Sequence, residues 1–281
     1  MNHTPIALTI AGSDSGGGAG IQADLKAFSA LGAYGCSVIT ALTAQNTLGV
    51  QGIFDVTPEF IRAQMDSVFS DIPVNAVKIG MLSQEPMIRA VAEGLKANNV
   101  ELLVVDPVMV ATSGDKLLQD DAINTLKECL IPMATVITPN LPEAAVLLNT
   151  SIPETIEEME DMVEPLLVLG SRSVLIKGGH LGGSESVDLF HDGKTLHRLS
   201  SPRFPTENTH GTGCTLSSAI TAQLARGVEL TDAVKQAKDY IAQAIAKADN
   251  LSIGSGHGPV HHFHAHWEST SQESTSQESN A

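Results

Sequence analysis

The residues best suited to chemistry lie late in the chain, in Asn208-Thr209-His210-Gly211-Thr212-Gly213-Cys214-Thr215. Two glycines flank a threonine, a thiol follows, and Leu216, Ile220 and Leu224 then recur at four-residue spacing. That order predicts a loop running into a helix N-terminus. Glycines let backbone N–H groups turn toward a ligand, and the helix end adds partial positive charge; together they trap anions, most often phosphate. The same residues would also serve as a tight turn with a threonine cap. Four more polar residues stand where the chain leaves apolar runs: Asp106 after 102–105, Asn140 after 136–138 with Glu143 three residues on, and Lys177 after 174–176. Ligands of open α/β sheets collect at such strand ends. Locally, Asp106 could instead cap a turn, Asn140 could cap a helix whose dipole Glu143 offsets, and Lys177 could be a surface charge.

These positions require strands alternating with helices. Residues 6–11 form an apolar run closed by Gly12, followed by Gly12-Ser13-Asp14-Ser15-Gly16-Gly17-Gly18-Ala19-Gly20 and a helix with Leu25, Phe28 and Leu31 on one face. The glycine spacing fails the dinucleotide fingerprint, and Asp14 inside the loop would repel pyrophosphate. Residues 37–43 read as a strand, Gln45 and Asn46 as a loop, 53–56 as a return strand, and Thr57-Pro58-Glu59 as a capped helix start. Strands follow at 76–79, 102–105, 136–138 and 174–176, separated by helical patterns such as Met87, Val91 and Leu95. The six acids of 154–164 read as one solvated helix face. Asp192-Gly193 predicts a two-residue hairpin between 187–190 and 195–199, and a last helix is expected over 232–248.

Composition narrows the partners. The chain has 281 residues, 16 basic against 32 acidic, for a net charge of −16. Such a chain repels nucleic acid and anionic membranes, so any phosphate must be held locally. Residues 27–54 carry no charge and are long enough to cross a bilayer, but glycines and polar side chains interrupt them, giving a buried helix end, a strand and a loop. Cys36, Cys129 and Cys214 suggest no disulfide framework, and no basic flank precedes the first apolar run; a cytoplasmic location is expected. His257, His261, His262, His264 and His266 crowd one segment at a spacing that fits no standard zinc site. Residues 268–281 repeat Glu, Ser, Thr and Gln, which predicts a disordered tail after a single domain over 1–267.

Several stretches, taken in order, resemble the hydroxymethylpyrimidine/phosphomethylpyrimidine kinases of thiamine biosynthesis, in the ribokinase-like superfamily. They are Ala11 to Asp24 (AGSDSGGGAGIQAD), Thr40-Ala41-Leu42-Thr43-Ala44-Gln45-Asn46, Asp106-Pro107-Val108, Thr138-Pro139-Asn140 with Glu143-Ala144, Lys177-Gly178-Gly179-His180, and Asn208 to Cys214. The resemblance implies a three-layer α/β/α fold with a mainly parallel sheet, ATP and Mg²⁺, and two successive phosphorylations of one small pyrimidine. It implies a catalytic group of Gly211, Thr212, Gly213 and Cys214, with Cys214 as base where most ribokinase-like enzymes carry Asp. The helix N-terminus is expected to lower the thiol pKa. Gly12, Asp24, Gln45, Met81 and Val108 would surround the pyrimidine. Asp106, Asn140, Glu143, Lys177 and His210 would bind ATP, and Asp106, Asn140 and Glu143 would hold Mg²⁺, partly through water. A homodimer is expected. The nearest rival is a pyridoxal kinase; some of those use a second cysteine after the Lys177 strand, and none stands between 180 and 210 here.

Overall fold

The computed structural model describes residues 4–109, 120–179 and 181–267. Its core is built from short apolar runs that emerge as strands: β1 (Ile6–Asp14), β2 (Tyr34–Asn46), β3 (Gly49–Asp55), β4 (Ala76–Ile79), β5 (Leu103–Val105), β6 (Val136–Ile137), β7 (Val174–Ile176), β8 (Glu185–His191) and β9 (Leu196–Pro202). They form one sheet in the order β3-β2-β1-β4-β5-β6-β7-β8-β9. The run from β2 to β7 is parallel, while β3 pairs antiparallel with β2 and the β8–β9 hairpin closes the other edge.

Alternation along each strand sends side chains to opposite faces. Leu8, Ile10, Val77, Ile79, Leu103 and Val105 meet α2 (Pro58–Phe69), α3 (Glu85–Ala97), α4 (Asp120–Cys129), α5 (Leu141–Leu148), α6 (Ile156–Asp161) and α7 (Val163–Val168). Ala7, Ala76, Val104, Val136 and Leu175 meet α1 (Gly20–Ala30), α8 (Thr212–Ala225) and α9 (Leu230–Ala246). The small residues on that second face let α8 lie close to the sheet. Leu216, Ile220 and Leu224 are all buried there, at the spacing that marked them in the sequence. The fold is the expected three-layer α/β/α sandwich.

Several local expectations change. β2 continues through Gln45 and Asn46, which pair with Val50 and Gly49 of β3, so these residues stand on a hairpin rather than in a loop. The hairpin survives because its long partner strand satisfies the backbone groups that a loop would leave to water. The acidic helix breaks at Met162 into α6 and α7, with Met159, Val163 and Leu166 buried and the acids outside. The β8–β9 turn is shifted by one residue: Asp192 N–H donates to the Thr195 carbonyl, leaving Gly193 and Lys194 between them, and Asp192 Oδ1 accepts from the Lys194 and Thr195 N–H groups. His180 and the expected tail over 268–281 lie outside the described residues.

β1 has β2 on one side and β4 on the other, so the chain leaves it in opposite directions. That reversal opens a crevice at the carboxyl ends of β1 and β4, the general place for ligands in this class of sheet. The segment after α9 crosses this end. His210 bridges to Pro259, His257 N–H donates to the Thr47 carbonyl, and Gly258 N–H donates to Asn208 Oδ1.

Candidate active site

Asp106 leaves β5 buried, and each of its carboxylate oxygens is engaged. Oδ1 accepts from Lys177 Nζ at 2.7 Å and from the Thr138 hydroxyl at 3.1 Å; Oδ2 accepts from the Ser217 hydroxyl at 3.1 Å. Burial opposes its ionisation, but the Lys177 and Lys78 charges and these hydrogen bonds hold its pKa below the usual carboxylate range. Lys177 reaches Asp106 from the end of β7 and also lies 3.9 Å from Glu143 Oε2. Burial works against its charge as well, and Asp106 and Glu143 outweigh it. Glu143 itself is shifted upward by burial, with Lys177 opposing.

Asn140 and Glu143 owe their positions to a capping box at the start of α5. Asn140 Oδ1 accepts from Glu143 N–H and Glu143 Oε2 accepts from Asn140 N–H, both at 2.8 Å. This satisfies two of the backbone donors that any helix start leaves open. It also fixes Glu143 facing Lys177.

Above this cluster sits the start of α8. Gly211 is its N-cap with φ +79, and a Cβ there would overlap the Gly18 carbonyl oxygen, so only glycine lets the two loops touch. Thr212 N–H and Oγ1 both turn back to the Thr209 carbonyl. Among the described residues, none accepts from the N–H groups of Gly213 or Cys214. Gly213 overlies the ion pair: a Cβ on it would stand 3.2 Å from Lys177 Nζ and 3.8 Å from Asp106 Oδ2. Two open N–H donors, an ammonium and two carboxylates therefore converge at one end of the sheet.

A second buried network lies under the same helix. Lys78 and Asp24 pair at 2.9 Å with no exposure of either side chain. Asp24 also accepts from Thr9 and Ser218, both at 2.6 Å. Consecutive serines thus tie α8 down on two sides, Ser217 to Asp106 and Ser218 to Asp24. Cys214 stands between these networks. Burial pushes its thiol up to about 11, against the pull of the Lys78 charge and with further upward push from Asp24 and Asp106. The expected depression by the helix N-terminus is overturned, because desolvation of the thiolate outweighs the dipole.

The glycine loop after β1 wraps its own aspartate. Asp14 accepts from the N–H groups of Gly16, Gly18 and Ala19 at 2.8 to 3.0 Å and lies 2.9 Å from His210 Nε2. The anion-binding capacity of this loop is filled internally. Beside it, a cavity of ≈ 240 Å³ is lined by Gln45, Asn46, Thr47, Leu48, Gly49, His210 and His257.

Residues 14–261 match a family model described as phosphomethylpyrimidine kinase. The chain belongs to the phosphomethylpyrimidine kinase family. It is 59% identical over 264 residues to the hydroxymethylpyrimidine/phosphomethylpyrimidine kinase of Rhizobium meliloti (strain 1021), covering 94% of this chain and 99% of that one. The crystal structure of phosphomethylpyrimidine kinase from Clostridium difficile 630 superposes with a TM-score of 0.75 at 49% identity, covering 85% of this chain and 98% of that one. A pyridoxal kinase from Staphylococcus aureus in complex with AMP-PCP and pyridoxal gives a TM-score of 0.86 at 35% identity, covering 94% of this chain and 96% of that one. The protein is thus a pyrimidine kinase of thiamine biosynthesis with a ribokinase-like fold; pyridoxal kinases are its structural relatives.

Within this kinase, the residues expected from sequence divide into three groups. Asp106, Asn140, Glu143, Lys177, Gly211, Thr212, Gly213 and Cys214 converge as described. Gly12 and Met81 touch across the crevice, since a Cβ on Gly12 would stand 2.7 Å from Met81 Cε, and Val108 follows Asp106 with partial exposure. Two residues lie apart from that cluster. Asp24 is buried and engaged by Lys78, Thr9 and Ser218. His210 sits with Asp14 and Gln45 instead of joining the Asp106–Lys177 cluster. Asn140 is also narrowed as a metal ligand, because its Oδ1 is engaged in the helix cap. Lys78, Thr138, Ser217 and Ser218 were missed. Lys78 carried a signal, being one charge inside the otherwise apolar strand Ala76-Val77-Lys78-Ile79, which requires a buried partner.

The crowded histidines serve packing. His262 is buried with its Nε2 3.0 Å from the Thr215 hydroxyl and its carbonyl accepting from Tyr240, while His261 meets Trp267 edge-on. Among the described residues no helix is long and apolar enough to cross a membrane.

Proposed function

We propose that this site transfers the γ-phosphoryl group of ATP to the hydroxymethyl group of 4-amino-5-hydroxymethyl-2-methylpyrimidine, and then to the resulting monophosphate. The observation that carries this reading is the pair of open N–H groups of Gly213 and Cys214 above the Asp106–Lys177 ion pair. Phosphoryl transfer asks for alignment and charge neutralisation more than for covalent help. The N–H groups of Gly213 and Cys214 receive the transferring phosphoryl oxygens, and Lys177 neutralises charge beside them. The AMP-PCP complex of the related pyridoxal kinase supports ATP as donor. Asp106 and Glu143, both beside Lys177, are the hard oxygen donors that would hold a Mg²⁺ ion, the remaining ligands being water and phosphate. An ion that keeps several waters and leans on one or two carboxylates suits that arrangement. When bound, Mg²⁺ would supply charge neutralisation on the phosphates.

Cys214 takes the proton of the hydroxymethyl group through its minority thiolate form, which the Lys78 ammonium favours and burial opposes. The second acceptor is an anionic phosphate with no proton to lose. Cys214→Ala therefore impairs the first phosphorylation far more than the second in single-turnover assays, and equal losses would remove the base role. The reading as a whole is tested by coupled turnover assays with hydroxymethylpyrimidine, its monophosphate and pyridoxal, with and without Mg²⁺. Faster turnover of pyridoxal than of both pyrimidines would overturn it.

The kinase acts as a homodimer in the cytoplasm on this reading. Leu42 and Phe54 face each other across β2 and β3 yet are 46% and 70% exposed, which supports an association surface at that edge. Its cysteines are free, in keeping with a reducing compartment.

A further inference from the structure

Gln45 projects from β2 beside the ≈ 240 Å³ cavity, with its amide between two polar neighbours. Oε1 lies 3.1 Å from the Thr43 hydroxyl, and Nε2 lies 3.4 Å from His210 Nε2. Hydrogens can be counted at both ends. The Thr43 hydroxyl has one proton and two acceptors in reach, the Ser13 carbonyl at 2.9 Å and Gln45 Oε1 at 3.1 Å, and the shorter contact places it on Ser13. Burial works against ionisation of Asp14, but His210 and the loop N–H groups hold its pKa below the usual range, so its carboxylate only accepts. His210 Nε2, 2.9 Å from Asp14 Oδ2, must therefore carry a proton. In the orientation above, the Gln45 oxygen faces a hydroxyl whose proton is spent, and the Gln45 nitrogen faces another N–H donor. Turning the amide over about its last torsion, a change that leaves the shape of the group unaltered, removes both conflicts. Nε2 then donates to Thr43 Oγ1, and Oε1 accepts from His210 Nε2–H, which it shares with Asp14.

We propose that His210, held in its Nε2–H form by Asp14, is a positioning residue that fixes which way the Gln45 amide faces and so determines which pyrimidines are accepted. With its orientation set, the amide keeps one carbonyl lone pair and one N–H for the ligand. This rests on the pyrimidine-kinase reading above. A 4-aminopyrimidine presents an exocyclic N–H donor beside a ring-nitrogen acceptor, a two-point match to one amide face like that by which Gln reads adenine. A 4-oxo ring presents the reverse, a carbonyl acceptor beside a ring N–H. To bind it, Gln45 would have to turn over and restore both conflicts. The Asp14 loop, remote from the phosphoryl-transfer point in sequence, thereby acts on substrate choice through one imidazole.

The test compares kcat/KM for 4-amino-5-hydroxymethyl-2-methylpyrimidine and its 4-oxo analogue in the wild type, His210→Leu and His210→Asn. The wild type is expected to favour the 4-amino ring by about 10²-fold or more, as a site that pairs specific donors and acceptors does. His210→Leu lowers that ratio by about tenfold, with the loss on the 4-amino substrate falling on KM more than on kcat, because the amide can then turn freely. His210→Asn, which can still donate an N–H, recovers part of the ratio. An unchanged ratio in His210→Leu, with both substrates losing equally, would show a merely structural histidine and overturn the proposal. A ¹⁵N spectrum of the free protein, assigned by comparison with His210→Asn, gives a substrate-independent readout: a proton on Nδ1 with Nε2 bare would also overturn it. If the wild type phosphorylates neither pyrimidine, the functional reading fails, while the tautomer measurement still decides the His210–Gln45 contact.

Discussion

Lys78 and Asp24 show what a charged pair costs and gives when no solvent reaches it. Lys78 donates to Asp24, and Asp24 also accepts from Thr9 and Ser218, so removing one ion strands the other. Lys78→Met is expected to destabilise the fold by about 3–5 kcal/mol in urea unfolding, whereas Lys78→Met with Asp24→Leu recovers most of that loss. If the double variant is no more stable than the single, the pair is not self-contained. The same ammonium acts on Cys214, where burial still wins and leaves the thiol at about 11. Iodoacetamide labelling of Cys214 in the free enzyme should accelerate about tenfold per pH unit from neutrality to about pH 10, because the thiolate is what reacts. A plateau near pH 8 would mean that the helix N-terminus outweighs desolvation after all.

At the scale of elements, the site depends on where α5 and α8 begin. The capping box makes Asn140 and Glu143 parts of one backbone motif, so Asn140→Ala should cost about 1 kcal/mol of stability and also release Glu143 from its orientation toward Lys177. Thermal melts together with the Mg²⁺ dependence of turnover would register both effects. Gly211 is the tighter constraint. A side chain there must adopt φ near +79 and displace the Gly18 carbonyl. Gly211→Ala is expected to lower kcat by about 10²-fold, the scale of losing one oxyanion donor, with a smaller change in KM. A fall confined to KM would place the loop in binding rather than in transfer. Ser217 and Ser218 make this sensitivity understandable, because they pin the first turns of α8 to two separate carboxylates.

Across the whole molecule, the segment after α9 clamps the hairpin and the catalytic loop, and His262 seats it. Burial drives the His262 pKa down to about 3 from the ordinary imidazole value of 6.5. The unfolded chain therefore binds a proton that the native state refuses, and stability is complete above about pH 6.5 and falls as pH drops toward 3. At pH 5 the loss from this one group is about 2 kcal/mol, and His262→Gln should flatten that part of the stability profile in chemical unfolding. The layered fold, the strand-end positions of Asp106, Asn140 and Lys177, and the loop-to-helix step at Gly211 were all legible in the sequence, because apolar periodicity and glycine spacing are local signals. Gln45 and Asn46 were misplaced because pairing with β3, a contact made across the hairpin, decides whether polar residues continue a strand. The role of Asp24 was equally beyond local reading, since a carboxylate in the first turns of a helix looks the same whether it faces a ligand or a lysine 54 residues away. What the sequence determined by itself was the order of elements and the chemical types brought to the sheet end. Tertiary structure alone decided which of those charges stay free for a substrate, because that depends on which partners burial brings within hydrogen-bonding distance.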